Sequence, residues 1–255
     1  MRKELWLKNS FIDANIPEWK CPTCNNGPLK IEAKQFHFQE TKLSLSWHSE
    51  EEWEPEFTTY RFHGTLKCQN CGDLIVFMGR GAVDHFHDYD EYIREYSEGY
   101  NNVFYPLYFH PNLRLFEINE NCPYEIKKEI EDSFGLYWND LPSCANKIRT
   151  SLELLMNQQK VRKSFIKNGK RKDLSLHQRI EEFKKSKPET ADFLLAIKWI
   201  GNTGSHVGEI INIDILETYE LLEHSINKLF DDTENKLKKI SKEIIKRKGT
   251  RKRKN

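Results

Sequence analysis

Apolar and polar positions follow two different periods along this chain, and the change of period divides it. From Cys21 to about Val83 the repeat is two residues. Leu29-Lys-Ile-Glu-Ala, Leu43-Ser-Leu-Ser-Trp47 and Thr58-Thr-Tyr-Arg-Phe-His each alternate, which predicts half-buried strands. Leu74-Ile-Val-Phe-Met78 is a compact apolar run that predicts one more, and the acidic stretch Glu50–Glu56 predicts an exposed loop. Residues 1 to about 20 read as a lead-in carrying Phe11, Ile12, Ile16 and Trp19. From Pro123 onward the period lengthens to helical spacing: Ile126, Ile130 and Phe134; then Cys144, Ile148, Leu152 and Leu155; then Leu176, Ile180 and Phe183. Phe193, Leu194, Ile197 and Ile200 predict a further helix that stops at Gly201, and Ile215, Tyr219, Leu222, Ile226 and Leu229 a last long one. Short breaks between amphipathic helices predict a bundle of four or five. The expected class is α+β, with a β-module over residues 1–120, helices over 121–235 and a basic end over 236–255.

The chain has 255 residues, enough for one large core or two modest ones. It has no run of eighteen apolar residues, and its start lacks the apolar centre of a signal peptide, so a soluble cytoplasmic protein with no membrane partner is expected. The net charge of +1 hides an asymmetry. Residues 236–255 hold eleven Lys or Arg and one acid, leaving 29 bases and 38 acids in residues 1–235, a balance of −9. Lys246, Arg247, Lys248, Arg251, Lys252, Arg253 and Lys254 fit a flexible phosphate-binding arm or a solvated tail without a dedicated partner. A second basic stretch, expected as a loop over 161–173, carries Arg162, Lys163, Lys167, Lys170, Arg171 and Lys172.

Cys21-Pro-Thr-Cys24 and Cys68-Gln-Asn-Cys71 are two knuckles, each followed closely by a glycine, Gly27 and Gly72. A C-x-x-C turn aims two thiolates at one centre, and glycine lets backbone amides approach the sulfurs. Two such turns supply the tetrahedral shell of a structural Zn²⁺, with redox or disulfide use as the alternative. A shell filled by four protein ligands leaves no position for water or substrate, so this metal would hold the fold. The forty-three residues between the knuckles suit a zinc-ribbon-like β-module. Cys122 and Cys144 fall outside the pattern and suit packing.

Residues 84–121 follow neither period. In Asp84-His-Phe-His-Asp-Tyr-Asp-Glu91, His85 and His87 would share one face of a strand and could mark a second metal, or the segment is a polar loop. Tyr96, Tyr100, Phe104, Tyr105, Tyr108 and Phe109 suit base stacking or, better, packing of the β-module on the helices. Gly201-Asn-Thr-Gly-Ser-His206 is either a capped helix end or a polar cleft in which Asn202 and His206 serve chemistry.

The segments Cys144–Leu155, Leu176–Ile180 and Trp199-Ile-Gly-Asn-Thr-Gly-Ser-His206 resemble a bacterial family, domain-of-unknown-function family 4145, over roughly residues 120–230. Its members join a C-x-x-C ribbon to helices similar to those of the HEPN superfamily and recur in restriction and phage-defence genes. The resemblance implies a HEPN-like bundle behind the ribbon, a homodimer, a nucleic-acid or defence-system protein partner, and, in active members, metal-independent ribonuclease activity. The signature of those active members is Arg, a polar residue, a few variable residues, then His. His206 and Asn202 fit its histidine and polar positions, while Gly201 stands where the arginine would be. Lys198 or Arg149 would then have to supply the cation, with His206 as general base.

Overall fold

The computed structural model describes residues 1–90, 95–203 and 210–249. The N-terminal helix α1 (Lys3–Leu7) precedes β1 (Phe11–Ile12), β2 (Leu29–Ile31) and β3 (His37–Glu40). Helix α2 (Lys42–Trp47) follows, then β4 (Thr59–Cys68), β5 (Leu74–Asp90) and β6 (Glu95–His110). These strands form one sheet in the order β1-β6-β5-β4-β2, with β3 beside the far half of β4. Every pairing is antiparallel.

Leu43–Trp47 is helix rather than strand. The Thr41 hydroxyl accepts from the Ser44 amide at 3.2 Å, a helix N-cap. The alternation has the opposite sense from the one expected: Leu43 and Leu45 are exposed, and Ser44 is buried. Its hydroxyl donates to Glu40 at 2.5 Å and accepts from the Thr59 amide at 3.2 Å. Asp84–Asp90 is likewise not a loop, because β5 runs through it in register with β6 from Val76↔His110 to Asp90↔Glu95. β4 accompanies β5 only as far as Thr59↔Ala82. Beyond that point β5 and β6 form a two-stranded arm on which exposed and half-buried residues share both faces, which is why no amphipathic period marks it.

A bulge re-aims the aromatic residues of β6. Met78 faces Tyr108 and Gly79 faces Pro106, leaving Leu107 unpaired and reversing the side-chain parity. Phe104 and Phe109 therefore both enter the core, while Tyr108 is exposed. The Leu107 carbonyl accepts from Asn139 of the helical half at 2.9 Å.

Five helices follow: α3 (Tyr124–Leu136), α4 (Leu141–Gln158), α5 (Leu176–Lys184), α6 (Pro188–Thr203) and α7 (Asn212–Phe230). The Asp140 carboxylate caps α4, and Ser175 with Gln178 forms a capping box on α5. The apolar stripes meet as expected, with Ile130, Phe134, Ile148, Leu152, Leu194, Tyr219 and Leu222 fully buried. α6 runs through Gly201 rather than stopping there. A Cβ on Gly201 would lie 3.0 Å from Arg149 Cβ and 3.3 Å from the Ala145 carbonyl, so the residue permits close approach of α4 instead of ending a helix. A last helix, α8 (Thr233–Arg247), is exposed at every side chain described in it.

The two halves share one core. Trp19, with no exposed surface, meets Phe109 at 5.3 Å and Trp138 at 5.6 Å between ring centroids. Trp6 stands edge-on to Trp138, and its carbonyl accepts from the Tyr137 hydroxyl at 3.0 Å. The lead-in does not serve the sheet alone: α1 lies on α7, with the terminal ammonium 2.7 Å from Glu223 and Lys3 2.9 Å from Glu220. Among the described residues no helix is long and apolar enough to cross a membrane.

The expected basic loop is a β-hairpin. Its strands are β7 (Ser164–Lys167) and β8 (Lys170–Asp173), joined by Asn168 and Gly169 at φ of 54° and 72°. Positive φ at both central residues is the two-residue turn for which Asn-Gly is the favoured pair. That dipeptide is the turn signal in the sequence, set within the run of charge.

Candidate metal centre

Cys21 and Cys24 lie in the turn before β2, Cys68 ends β4, and Cys71 sits in the turn that leads into β5. Backbone bonds fix both turns: the Cys21 amide donates to the Gly27 carbonyl at 2.9 Å and the Cys68 amide to the Asp73 carbonyl at 2.9 Å. Thr23 hydrogen-bonds Asp73 across the gap. The four Sγ atoms lie within 4.8 Å of one another, with Cys21–Cys71 at 3.7 Å and Cys24–Cys68 at 3.6 Å. Four sulfurs about 2.3 Å from a central ion at tetrahedral angles stand about 3.8 Å apart, so the cluster has the dimensions of a thiolate shell.

The surroundings are prepared for anions. The amides of Gly27, Asn70 and Cys71 point at sulfur at 3.4 Å, and the Asn70 side chain reaches Cys24 at 3.7 Å. A Cβ on Gly27 would press into Cys68 Sγ and lie 2.8 Å from Asn70 Cβ, so glycine is required there. The amides of Asn26 and Gly27 bring the Cys24 thiol down to about 6. Cys71 moves the other way, up to about 12: the Asp73 amide lowers it, but burial and the three neighbouring sulfurs together outweigh that. Four sulfurs this close cannot all ionise unless a cation neutralises them, and the donor set fits one. Cys122 and Cys144 take no part: both are buried, and Cys144 Sγ lies 3.1 Å from the Tyr219 hydroxyl.

The other expected site residues are more scattered. Lys198 is buried, with its ammonium 3.6 Å above the Trp199 ring, and Asn202 is half-buried in the last turn of α6. Arg149 lies against Gly201 and pairs with Glu153 at 3.2 Å. His206 lies outside the described residues, as do Arg251, Lys252, Arg253 and Lys254. Arg162 is tied to Glu182 at 2.8 Å, and Arg171 donates to Ser164 at 2.9 Å. Lys163, Lys170 and Lys172 are exposed, and Lys246, Arg247 and Lys248 close the exposed α8.

Fold and cluster together define a two-part protein: a β-sheet carrying four convergent thiols, joined through a shared core to a bundle of helices. Two family models divide it in the same way. Residues 131–247 match a domain of unknown function (DUF4145), and residues 9–109 match another (DUF8608). No curated protein and no solved structure gives a significant match.

Proposed function

We propose that this protein is a zinc-stabilised nucleic-acid-binding module whose phosphate contacts come from the β7–β8 hairpin and the basic end of the chain. The hairpin register supports this reading most directly. Lys167 stands opposite Lys170, and Phe165 opposite Lys172. Like charges directly across a strand pair are destabilising, and a polyanion laid along the hairpin removes that repulsion. Lys163, Lys167, Lys170 and Lys172 have no ion-pair partner among the described residues. Helix α8 adds Lys239, Lys242, Lys246 and Arg247 on an exposed face. The cysteine cluster, holding Zn²⁺, fixes the sheet rather than the ligand. Restriction and phage defence is the setting that the family resemblance implies.

Salt dependence is the test. Replacing Lys167, Lys170 and Lys172 by Ala should flatten the slope of log affinity against log salt by about 2–3 units for duplex DNA, close to 0.9 per lost phosphate contact. Removing residues 246–255 should flatten it further. Titration of a labelled oligonucleotide by fluorescence anisotropy reads both effects, and an unchanged slope in the triple variant removes the hairpin from the interface.

One observation favours a second reading, a HEPN-like ribonuclease. Arg149 packs on Gly201, so a guanidinium-bearing side chain sits beside the position where the active family signature has its arginine. In that reading Arg149 steadies the phosphate, and His206 takes a proton from the ribose 2′-hydroxyl. RNA should then be cleaved in the presence of chelator to give 2′,3′-cyclic phosphate ends, with activity lost in both Arg149→Ala and His206→Ala. Cleavage undiminished in Arg149→Ala rejects the substitution of one arginine for the other.

A further inference from the structure

The β5–β6 arm carries a second group of metal-ligating side chains, distinct from the four cysteines. His85 and His87 are two residues apart on β5 and so project from one face of the arm. The register places Tyr100 across from His85 and Glu98 across from His87, on that same face. One imidazole nitrogen of each histidine and a Glu98 oxygen lie within 4.8 Å of one another. His87 Nδ1 is 3.4 Å from Glu98 Oε2. Donors held about 2.1 Å from one ion at tetrahedral angles stand about 3.4 Å apart, so this pair has the spacing of two ligands sharing a metal. The two imidazole rings meet at 4.2 Å between centroids, nearly edge to face, and Tyr100 stacks on His85 at 4.8 Å and limits its rotation.

A further carboxylate approaches His85 from elsewhere in the chain. Glu56, in the short 3₁₀ turn Pro55–Phe57 beside β5, brings Oε1 to 4.0 Å from His85 Nδ1. Its other oxygen, Oε2, is buried and has no hydrogen-bond partner. A buried carboxylate oxygen without a donor is costly.

The geometry points to a second metal site on the arm, in which His85, His87 and Glu98, with Glu56 close by, bind a divalent transition-metal ion such as Zn²⁺ or Co²⁺. Imidazole with carboxylate is a donor set of borderline softness, unlike the all-thiolate set of the first site. His87 and Glu98 are exposed, so the ion keeps open positions for water or for a ligand from another molecule. The closed cysteine shell offers none.

Calorimetric titration with Zn²⁺ of protein whose cysteine site is already filled tests this. One further equivalent is expected to bind. His85→Ala, His87→Ala and Glu98→Gln should each weaken it by about tenfold or more, the scale on which losses around a metal site are felt. Asp88→Asn, whose side chain alternates to the opposite face of β5, should leave the isotherm unchanged. Circular dichroism of each variant confirms that the arm is intact. Absence of a second equivalent overturns the site, as does an unchanged isotherm in the His85→Ala/His87→Ala double variant.

Discussion

Cys68→Ser is expected to empty the cysteine site and to destabilise the protein by several kcal/mol. The four sulfurs come from two turns that the chain brings together only by folding, Cys21 and Cys24 before β2 and Cys68 and Cys71 between β4 and β5. The metal therefore closes a link of more than forty residues and neutralises thiolates that would otherwise repel. Structural Zn²⁺ contributes on the order of 10 kcal/mol in small zinc-binding domains, comparable with the whole stability of a typical domain. Cys68 is closely engaged: it contacts Cys24, accepts from the Asn70 and Cys71 amides, and underlies Gly27. In a His85→Ala/His87→Ala background, which removes the arm site, metal content per chain after gel filtration should fall from one equivalent to none, and the denaturation midpoint should drop. Cys122→Ala, which changes a buried thiol outside the cluster, should keep its metal. Protons compete with the metal for thiolate, so acidification should release it from the wild-type protein. In that background, a Cys68→Ser protein that retains one equivalent would show that the cluster is not the metal's seat.

The second large effect is expected at the junction of the two halves. Trp19→Ala should cost about 3–5 kcal/mol, the range for deleting a fully buried large aromatic. Trp19 contacts Phe11 from the first strand, Phe109 from the end of β6 and Trp138 beyond α3. Its removal opens a cavity where sheet and helices meet, so the loss should be felt by the whole chain as one transition. Guanidinium denaturation followed by tryptophan fluorescence and far-ultraviolet circular dichroism should give coincident curves at a lower midpoint. Trp19→Phe should be much milder, because the indole N–H is buried without a partner and its loss removes a desolvation cost. Two separated transitions in the wild-type protein would mean that sheet and bundle fold independently and that the aromatic junction is a contact between domains.

The cysteine cluster could be read almost in full before folding, because C-x-x-C followed by glycine is a local geometry. Two such turns need only meet, and the structure brings all four sulfurs within 4.8 Å. The helices α3 to α7 were equally open to reading, since each buries a stripe whose 3.6-residue period the packing then uses. The arm was not. Asp84–Asp90 is strand because β6 pairs with it, and a ribbon with half-buried residues on both faces leaves no period in its own residues. Leu43–Trp47 differs for the opposite reason: its alternation is real, but the buried residue is Ser44, held by Glu40 and Thr59.

What the amino-acid order determined by itself was therefore everything that depends on neighbours a few residues apart: the two thiol turns, the helix stripes and caps, and the basic end. The Asn-Gly turn of the basic hairpin belongs with these, being equally local. Tertiary structure decided what depends on residues far apart in the chain. It joined the halves through Trp19, Phe109 and Trp138, set Arg149 against Gly201, and carried Glu98 and Glu56 to His85 and His87. The physical reason is range. Backbone propensity and side-chain periodicity act over one or two turns, whereas a core junction or a cross-strand ligand set exists only once register and packing have fixed which distant segments meet.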